Sequence, residues 1–240
     1  MIRIAKHLAH LGYGSRREIE KMVDDGKIKV NGEIIEDKGR KVDPIRDVIE
    51  LNGKVIENND DFVYLALNKP IGIVSTTSDE KGRKSVVDLV KNKTKVRVYP
   101  VGRLDLDSTG LILLTNDGEL THKLTHPKFH VVKRYKVCVM GDVTLDKVNR
   151  LSKGVKLSDG QTAPCEVRIL KKMRLRSWLE FKLKEGRYRQ VRRMCGRVGL
   201  EVIELIRMGF GDIELGDLGS GESRLLTNEE IEGLRRAVMK

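Results

Sequence analysis

At 240 residues the chain has room for one large domain or two smaller ones, and no apolar run approaches the roughly 20 residues of a membrane span. The N-terminus lacks the apolar stretch and small-residue cleavage site of a secretory signal, and Cys138, Cys165 and Cys195 are scattered and odd in number. A disulfide framework and a zinc site are therefore not expected, and a cytoplasmic setting is. Net charge is +12; residues 1–60 balance 12 Lys/Arg with 12 Asp/Glu, so the remainder carries the excess and points to a polyanionic partner.

Along the chain, Ile4, Leu8 and Leu11 share one face of a first helix, with Gly12 as its stop. Ser15-Arg16-Arg17-Glu18 has the spacing of a capping box, and Ile19, Met22 and Val23 give a second helix that ends at Asp24-Asp25-Gly26. Ile28 and Val30 alternate ahead of Asn31-Gly32, a two-residue hairpin signal, and Asn52-Gly53 repeats it between Val48–Leu51 and Lys54–Ile56. Arg3, Lys6, Arg16, Arg17 and Lys29 concentrate around the two helices and the turn after them, so this neutral segment still presents a basic face.

This pattern, Arg3…Lys6-His7-Leu8-Ala9…Ser15-Arg16-Arg17…Gly26-Lys27-Ile28-Lys29-Val30-Asn31-Gly32, resembles an S4 domain, a small αL-type RNA-binding module. The boundaries expected are 1–58 for the S4 domain, 59–62 for a polar linker and 63–240 for a second domain. In that second domain, strands are expected at 62–67, 111–114, 135–140, 165–170, 178–183 and 202–207, and helices at 86–91, 119–125, 189–198 and 228–238. Strands outnumber helices without β-α-β alternation, so the fold class is α+β, with a mixed, mostly antiparallel sheet flanked by helices.

Gly102-Arg103-Leu104-Asp105-Leu106-Asp107-Ser108-Thr109-Gly110 stands out because two carboxylates and an arginine lead straight into the apolar run Leu111-Ile112-Leu113-Leu114. Polar residues at the mouth of a buried strand read either as chemistry or as a capped surface turn, with Asp117-Gly118 as a further turn. A glycosidase pair at Asp105 and Asp107 is disfavoured by 4% aromatic content. From Lys184 to Arg197 the chain is dense in cations, and Arg189, Arg192, Arg193 and Arg197 share a helical face that a phosphate backbone would neutralise. His122, His126 and His130 are spaced by four, but Pro127 interrupts the helix and no zinc set is completed. No phosphate loop, dinucleotide fingerprint or Gly-x-Ser-x-Gly elbow is present, so no cofactor is expected.

Together with Leu67-Asn68-Lys69-Pro70-Ile71-Gly72, Lys133-Arg134-Tyr135 and Glu185-Gly186-Arg187-Tyr188-Arg189-Gln190-Val191-Arg192-Arg193-Met194, these motifs resemble the RsuA/RluB-type ribosomal RNA pseudouridine synthases. The resemblance implies isomerisation of uridine to pseudouridine in small- or large-subunit ribosomal RNA, by a chain expected to be monomeric. It makes Asp105 the catalytic aspartate, acting at C1′ or on the C2′ proton, with Arg192 as its cationic partner and Tyr135 stacking on the base. The resemblance also implies Leu205 as an apolar wall beneath the base and Arg103 as the residue holding the phosphate of the flipped-out nucleotide. RNA contacts are expected from Arg3, Lys6, Ser15, Arg16, Arg17 and Lys29 in the S4 domain, and from Lys133, Arg187, Arg189, Gln190 and Arg193 beyond it. Asp107 is expected to bond locally to the Ser108-Thr109 turn. The competing class is a non-catalytic RNA-binding or ribosome-assembly protein, separated from the first by the combination of Asp105, Tyr135 and Arg192.

Overall fold

The computed structural model describes residues 1–57 and 62–239. Most of the linker expected at 59–62 lies outside the described residues. The chain forms two compact units, one of Met1–Val63, Thr94–Val98 and Asn116–Gly118, the other of Tyr64–Lys93, Tyr99–Thr115 and Glu119–Lys240.

The first unit contains β1 (Ile2–Arg3), α1 (Ile4–His10), α2 (Arg16–Asp24), β2 (Ile28–Val30), β3 (Glu33–Ile34), β4 (Lys41–Val42), β5 (Ile49–Leu51) and β6 (Lys54–Val55). Its sheet runs β3-β2-β5-β6, while β1 pairs with β4. The capping box forms as its spacing requires: the Ser15 hydroxyl accepts from the Glu18 amide, and Glu18 accepts from the Ser15 amide. Asn31 (φ 53°) and Gly32 (φ 84°) take the two left-handed positions of a type I′ turn, whose twist matches the strands it joins. Ile4, Leu8, Ile19, Val23, Ile28, Val30 and Val42 close the core, uniting the apolar faces read from the periodicity.

The second unit holds β7 (Tyr64–Lys69), β8 (Tyr99–Pro100), β9 (Thr109–Thr115), β10 (Lys133–Met140), β11 (Lys156–Leu157), β12 (Gly160–Gln161), β13 (Glu166–Lys172), β14 (Arg176–Leu183), β15 (Glu201–Phe210), β16 (Ile213–Glu214) and β17 (Ser223–Leu225). Its helices are α4 (Leu145–Lys153), α5 (Gln190–Arg197), α6 (Asn228–Ala237) and, beginning on Gly118 at the end of the first unit, α3 (Gly118–Thr125). The main sheet runs β13-β14-β10-β15-β9-β7-β17, antiparallel except where β15 lies parallel to β9. Two cores flank that parallel contact. Leu179 and Phe181 of β14 pack with Leu151 of α4 and Met194 of α5, whereas Leu111 and Leu113 of β9 pack with Leu124 of α3 and Leu234 of α6.

Two expectations fail locally. No helix forms at 86–91. The Val86 amide is taken by the Val74 carbonyl, and Val90 and Lys93 close successive i→i+3 turns. Adjacent β-branched Val86 and Val87 restrict a stretch too short to recover the cost of helix nucleation. Asp117-Gly118 does not form a separate turn. Gly118 opens α3, because Leu120 and Leu124 at i, i+4 reach the core only as a helix.

The contact between β9 and β15 depends on one glycine. Gly110 (φ +98°) lies opposite Arg207, and a β-carbon built there would overlap the Arg207 main chain. No other residue type combines that φ with so close an approach.

Candidate active site

Where β9 meets β15, a cavity of about 270 Å³ opens in the second unit. The loop before β9 lines one side with Arg103, Leu104, Asp105 and Ser108. β10 contributes Lys133 and Tyr135, β15 contributes Leu205, Arg207 and Phe210, the segment before α5 contributes Glu185–Arg189, and α5 itself contributes Gln190 and Val191. Residues of three motifs dispersed over the chain, at 102–110, 133–135 and 185–194, thus line one cavity.

The loop is fixed by its backbone. Ser75 Oγ donates to the Leu104 carbonyl at 2.8 Å and accepts from the Leu104 amide at 3.1 Å. The Gly72 amide holds the Leu106 carbonyl at 2.9 Å, and the Ser108 amide closes a turn onto the Asp105 carbonyl. Beneath it, Lys69 is fully buried on β7, with Nζ donating to the carbonyls of Pro70 (2.9 Å) and Ile73 (2.8 Å). Burial pushes the Lys69 ammonium down to about 8, while the charges of Asp107 and Asp105 oppose the shift. Lys69 lies in the Leu67–Gly72 motif, which carried no role for it, and Ser75 lies in none of the motifs; a lysine inside the apolar strand 64–69 was the available clue.

The two carboxylates separate sharply. Asp105 is half-buried, lines the cavity, and makes no side-chain hydrogen bond or ion pair among the described residues. Asp107 is engaged twice. Arg189 donates Nη1 and Nη2 to its two carboxylate oxygens at 3.0 and 2.8 Å, and Arg192 Nε forms an ion pair with it at 3.3 Å. The Arg189 hydrogen bonds first, and then the Arg192 charge, hold the Asp107 carboxyl below its ordinary value. Arg192 also donates to the main-chain carbonyls of Asp107 (2.7 Å) and Val202 (3.0 Å). Arg192 therefore pairs with Asp107 rather than Asp105, and the Asp107 side chain reaches across to α5 instead of bonding to the Ser108-Thr109 turn. The reason is geometric: Arg189 sits at the N-cap of α5 in a left-handed conformation (φ 46°), which aims both arginines at Asp107.

Other expected contacts are also spent internally. Arg187 bonds to Glu185 and to the Gln161 carbonyl. Gln190 is buried, donating to Glu185 at 2.6 Å and accepting from the Arg187 amide, so it braces the loop. Arg193 pairs with Asp159. The arginine face of α5 is thus partly neutralised by the protein's own carboxylates. In the first unit Ser15 is used as a helix cap, while Arg3, Lys6, Arg16 and Arg17 are exposed without a side-chain partner among the described residues, and Lys29 is half-buried. Arg103 is exposed at the cavity rim and has no side-chain partner among the described residues. Tyr135 and Leu205 form part of the wall. Arg207, absent from the sequence expectations, is buried there, and the Ser108 hydroxyl is buried without a hydrogen-bond partner. The described residues contain no group of three His, Cys, Asp or Glu able to hold a metal ion.

A mixed, mostly antiparallel sheet gathers the aspartate loop, the tyrosine strand and the start of the arginine-rich helix around one cavity. The family model for RNA pseudouridylate synthase matches residues 63–196, and that for the S4 domain matches residues 2–49. The chain belongs to the RNA pseudouridylate synthases and carries an S4 domain at its N-terminal end. It is 43% identical to the ribosomal large subunit pseudouridine synthase B of Bacillus subtilis over 237 residues, covering 98% of this chain and 96% of that one. An uncharacterized RNA pseudouridine synthase of Aquifex aeolicus is 38% identical over 99% of this chain and 95% of its own length. A solved pseudouridylate synthase is similar with a TM-score of 0.69 at 31% identity, covering 98% of this chain and 100% of that one.

Proposed function

We propose that this chain isomerises a specific uridine of large-subunit ribosomal RNA to pseudouridine in the cytoplasm, with Asp105 as the catalytic carboxylate. The observation that carries this reading is the contrast within one loop: Asp107 is fully engaged, while Asp105 faces a lined cavity with its carboxylate free. A half-buried carboxylate left without a hydrogen-bond or ion-pair partner is costly unless it is used. The names of relatives matching over nearly the full length support the choice of RNA.

In this reading the flipped-out uridine enters between Tyr135 and Leu205. Tyr135 stacks on the base, and Asp105 attacks C1′ or takes the C2′ proton. Arg192 acts one step removed: with Arg189 it grips Asp107 and so holds the Asp105 loop in register. Arg103, exposed at the rim, takes a phosphate of the extruded nucleotide. The S4 domain supplies the remaining grip through Arg3, Lys6, Arg16 and Arg17, with Lys29 beside them. Asp105→Asn should lower tritium release from C5-labelled uridine in ribosomal RNA by more than about 1000-fold while RNA affinity stays within threefold. Turnover near that of the unaltered chain would sink the assignment.

A further inference from the structure

The floor of the cavity holds two cations that no carboxylate neutralises. Arg207 is 3% exposed; its Nε donates to the Leu111 carbonyl at 2.6 Å, but its buried Nη2 has no partner. Lys133 is buried as well, and its ammonium makes no hydrogen bond or ion pair among the described residues. Burial, and then the Arg207 charge, push it down to about 8. Both cations stand against the Phe210 ring, with Arg207 Cζ 5.4 Å and Lys133 Nζ 5.5 Å from its centroid. An aromatic face offsets only part of the cost of drawing two like charges out of water. The neighbouring arginines differ: Arg187, Arg189, Arg192 and Arg193 each meet a carboxylate. Among the described residues no carboxylate forms a hydrogen bond or ion pair with either floor cation, and the floor lines the same cavity as Asp105 and Tyr135.

We propose that Arg207 and Lys133 receive the carbonyl edge of the uracil and stabilise the negative charge the base carries while it is detached from the ribose. This rests on the cavity being the uridine-isomerising site, and it adds two residues that act on the base rather than the sugar. When the C1′–N1 bond breaks, its electron pair stays on the uracil ring and spreads over N1, O2 and O4. C1′ is meanwhile taken up by an Asp105 oxygen, or the sugar loses its C2′ proton to Asp105. On the first route the turned base attacks C1′ through C5, and the C1′–oxygen pair returns to the carboxylate. The C5 proton then leaves and N1 gains one, so a neutral isomer results. Charge on the base is largest between the two bond events, and fixed cations in a dry site act most strongly there.

The test uses the full chain and large-subunit ribosomal RNA transcripts made with uridine or with 5-fluorouridine, following single-turnover consumption of the target nucleoside. Fluorine makes the base a better leaving group, so it lessens the demand on the floor. Lys133→Met and Arg207→Gln should each slow the uridine transcript about 100-fold with RNA affinity within threefold of the unaltered chain. On the fluorouridine transcript the loss should be under tenfold. Equal losses on both transcripts, the signature of a merely structural role, would overturn the proposal, as would rates within threefold of the unaltered chain. Should Arg207→Gln fail to fold, Lys133→Met and Arg207→Lys carry the same comparison. An unaltered chain that leaves both transcripts untouched overturns the isomerase reading itself, so the two failures are distinct.

Discussion

In the first unit Arg3, Lys6, Arg16 and Arg17 stand in solvent without an internal partner, whereas around the cavity Arg187, Arg189, Arg192 and Arg193 each meet a carboxylate. Both regions are basic in sequence, and they use the charge differently. Free cations release counterions when a phosphate backbone arrives, so they supply affinity and salt dependence. Paired ones have already lost that freedom and supply geometry instead, fixing a loop against a helix. Clustered arginine in a sequence therefore marks a region of interest without saying which of these two tasks it performs.

The wired side should break hardest. Gly110→Ala forces a β-carbon into the Arg207 main chain at a φ of +98°. We expect a loss of about 3 kcal/mol in denaturant unfolding together with nearly all activity. A variant with unchanged unfolding midpoint would show that β9 and β15 can separate without cost. Asp107→Asn is the next test, because it removes the charge that both arginines grip. Turnover should fall about 10- to 50-fold with RNA affinity little changed. Its effect on stability should be small, about 0.5 kcal/mol, since the pair is partly exposed and screened by water. That small difference has a defined pH course. The Asp107 carboxyl is held below its ordinary 3.8, so the folded chain binds this proton more weakly than the unfolded one. The contribution is complete above the unfolded value and disappears as pH falls through the lowered one. Unfolding of the variant and the unaltered chain should therefore differ at pH 7 and converge well below pH 4; a gap that persists there would assign the effect to packing.

The free side should yield the mildest change. Arg16→Ala combined with Arg17→Ala should weaken ribosomal RNA binding about tenfold at low salt and flatten the salt dependence by between one and two ions. Turnover at saturating RNA should hold. An unaltered salt slope would mean that these side chains never meet phosphate.

Local signals were legible where they were self-contained. The Ser15–Glu18 capping box, the Asn31-Gly32 hairpin and the strand that begins at Thr109 all follow from spacing within a few residues. The motifs also located the cavity wall, since Asp105, Tyr135 and Leu205 line one space. Partnership was not legible. Asp105 and Asp107 are equivalent in composition, and which of them meets Arg192 depends on the left-handed turn at Arg189, a tertiary outcome. The helix expected at 86–91 failed for a similar reason: Val86 gives its amide to Val74, a competitor outside any local window. The buried roles of Lys69 and Arg207 escaped because burial of a cation is a property of the assembled sheet.

The parallel alignment of β9 with β15 also bears on when the cavity comes into being. Arg207 reaches the Leu111 carbonyl across 96 residues of chain, and β10 and β14 are both inserted within that interval. Closing so long a loop is entropically unfavourable until the intervening strands have paired. During synthesis the aspartate loop therefore emerges well before its opposite wall. The floor is completed only after β15 has left the ribosome, so a nascent chain holds every residue of the loop and none of the site's function.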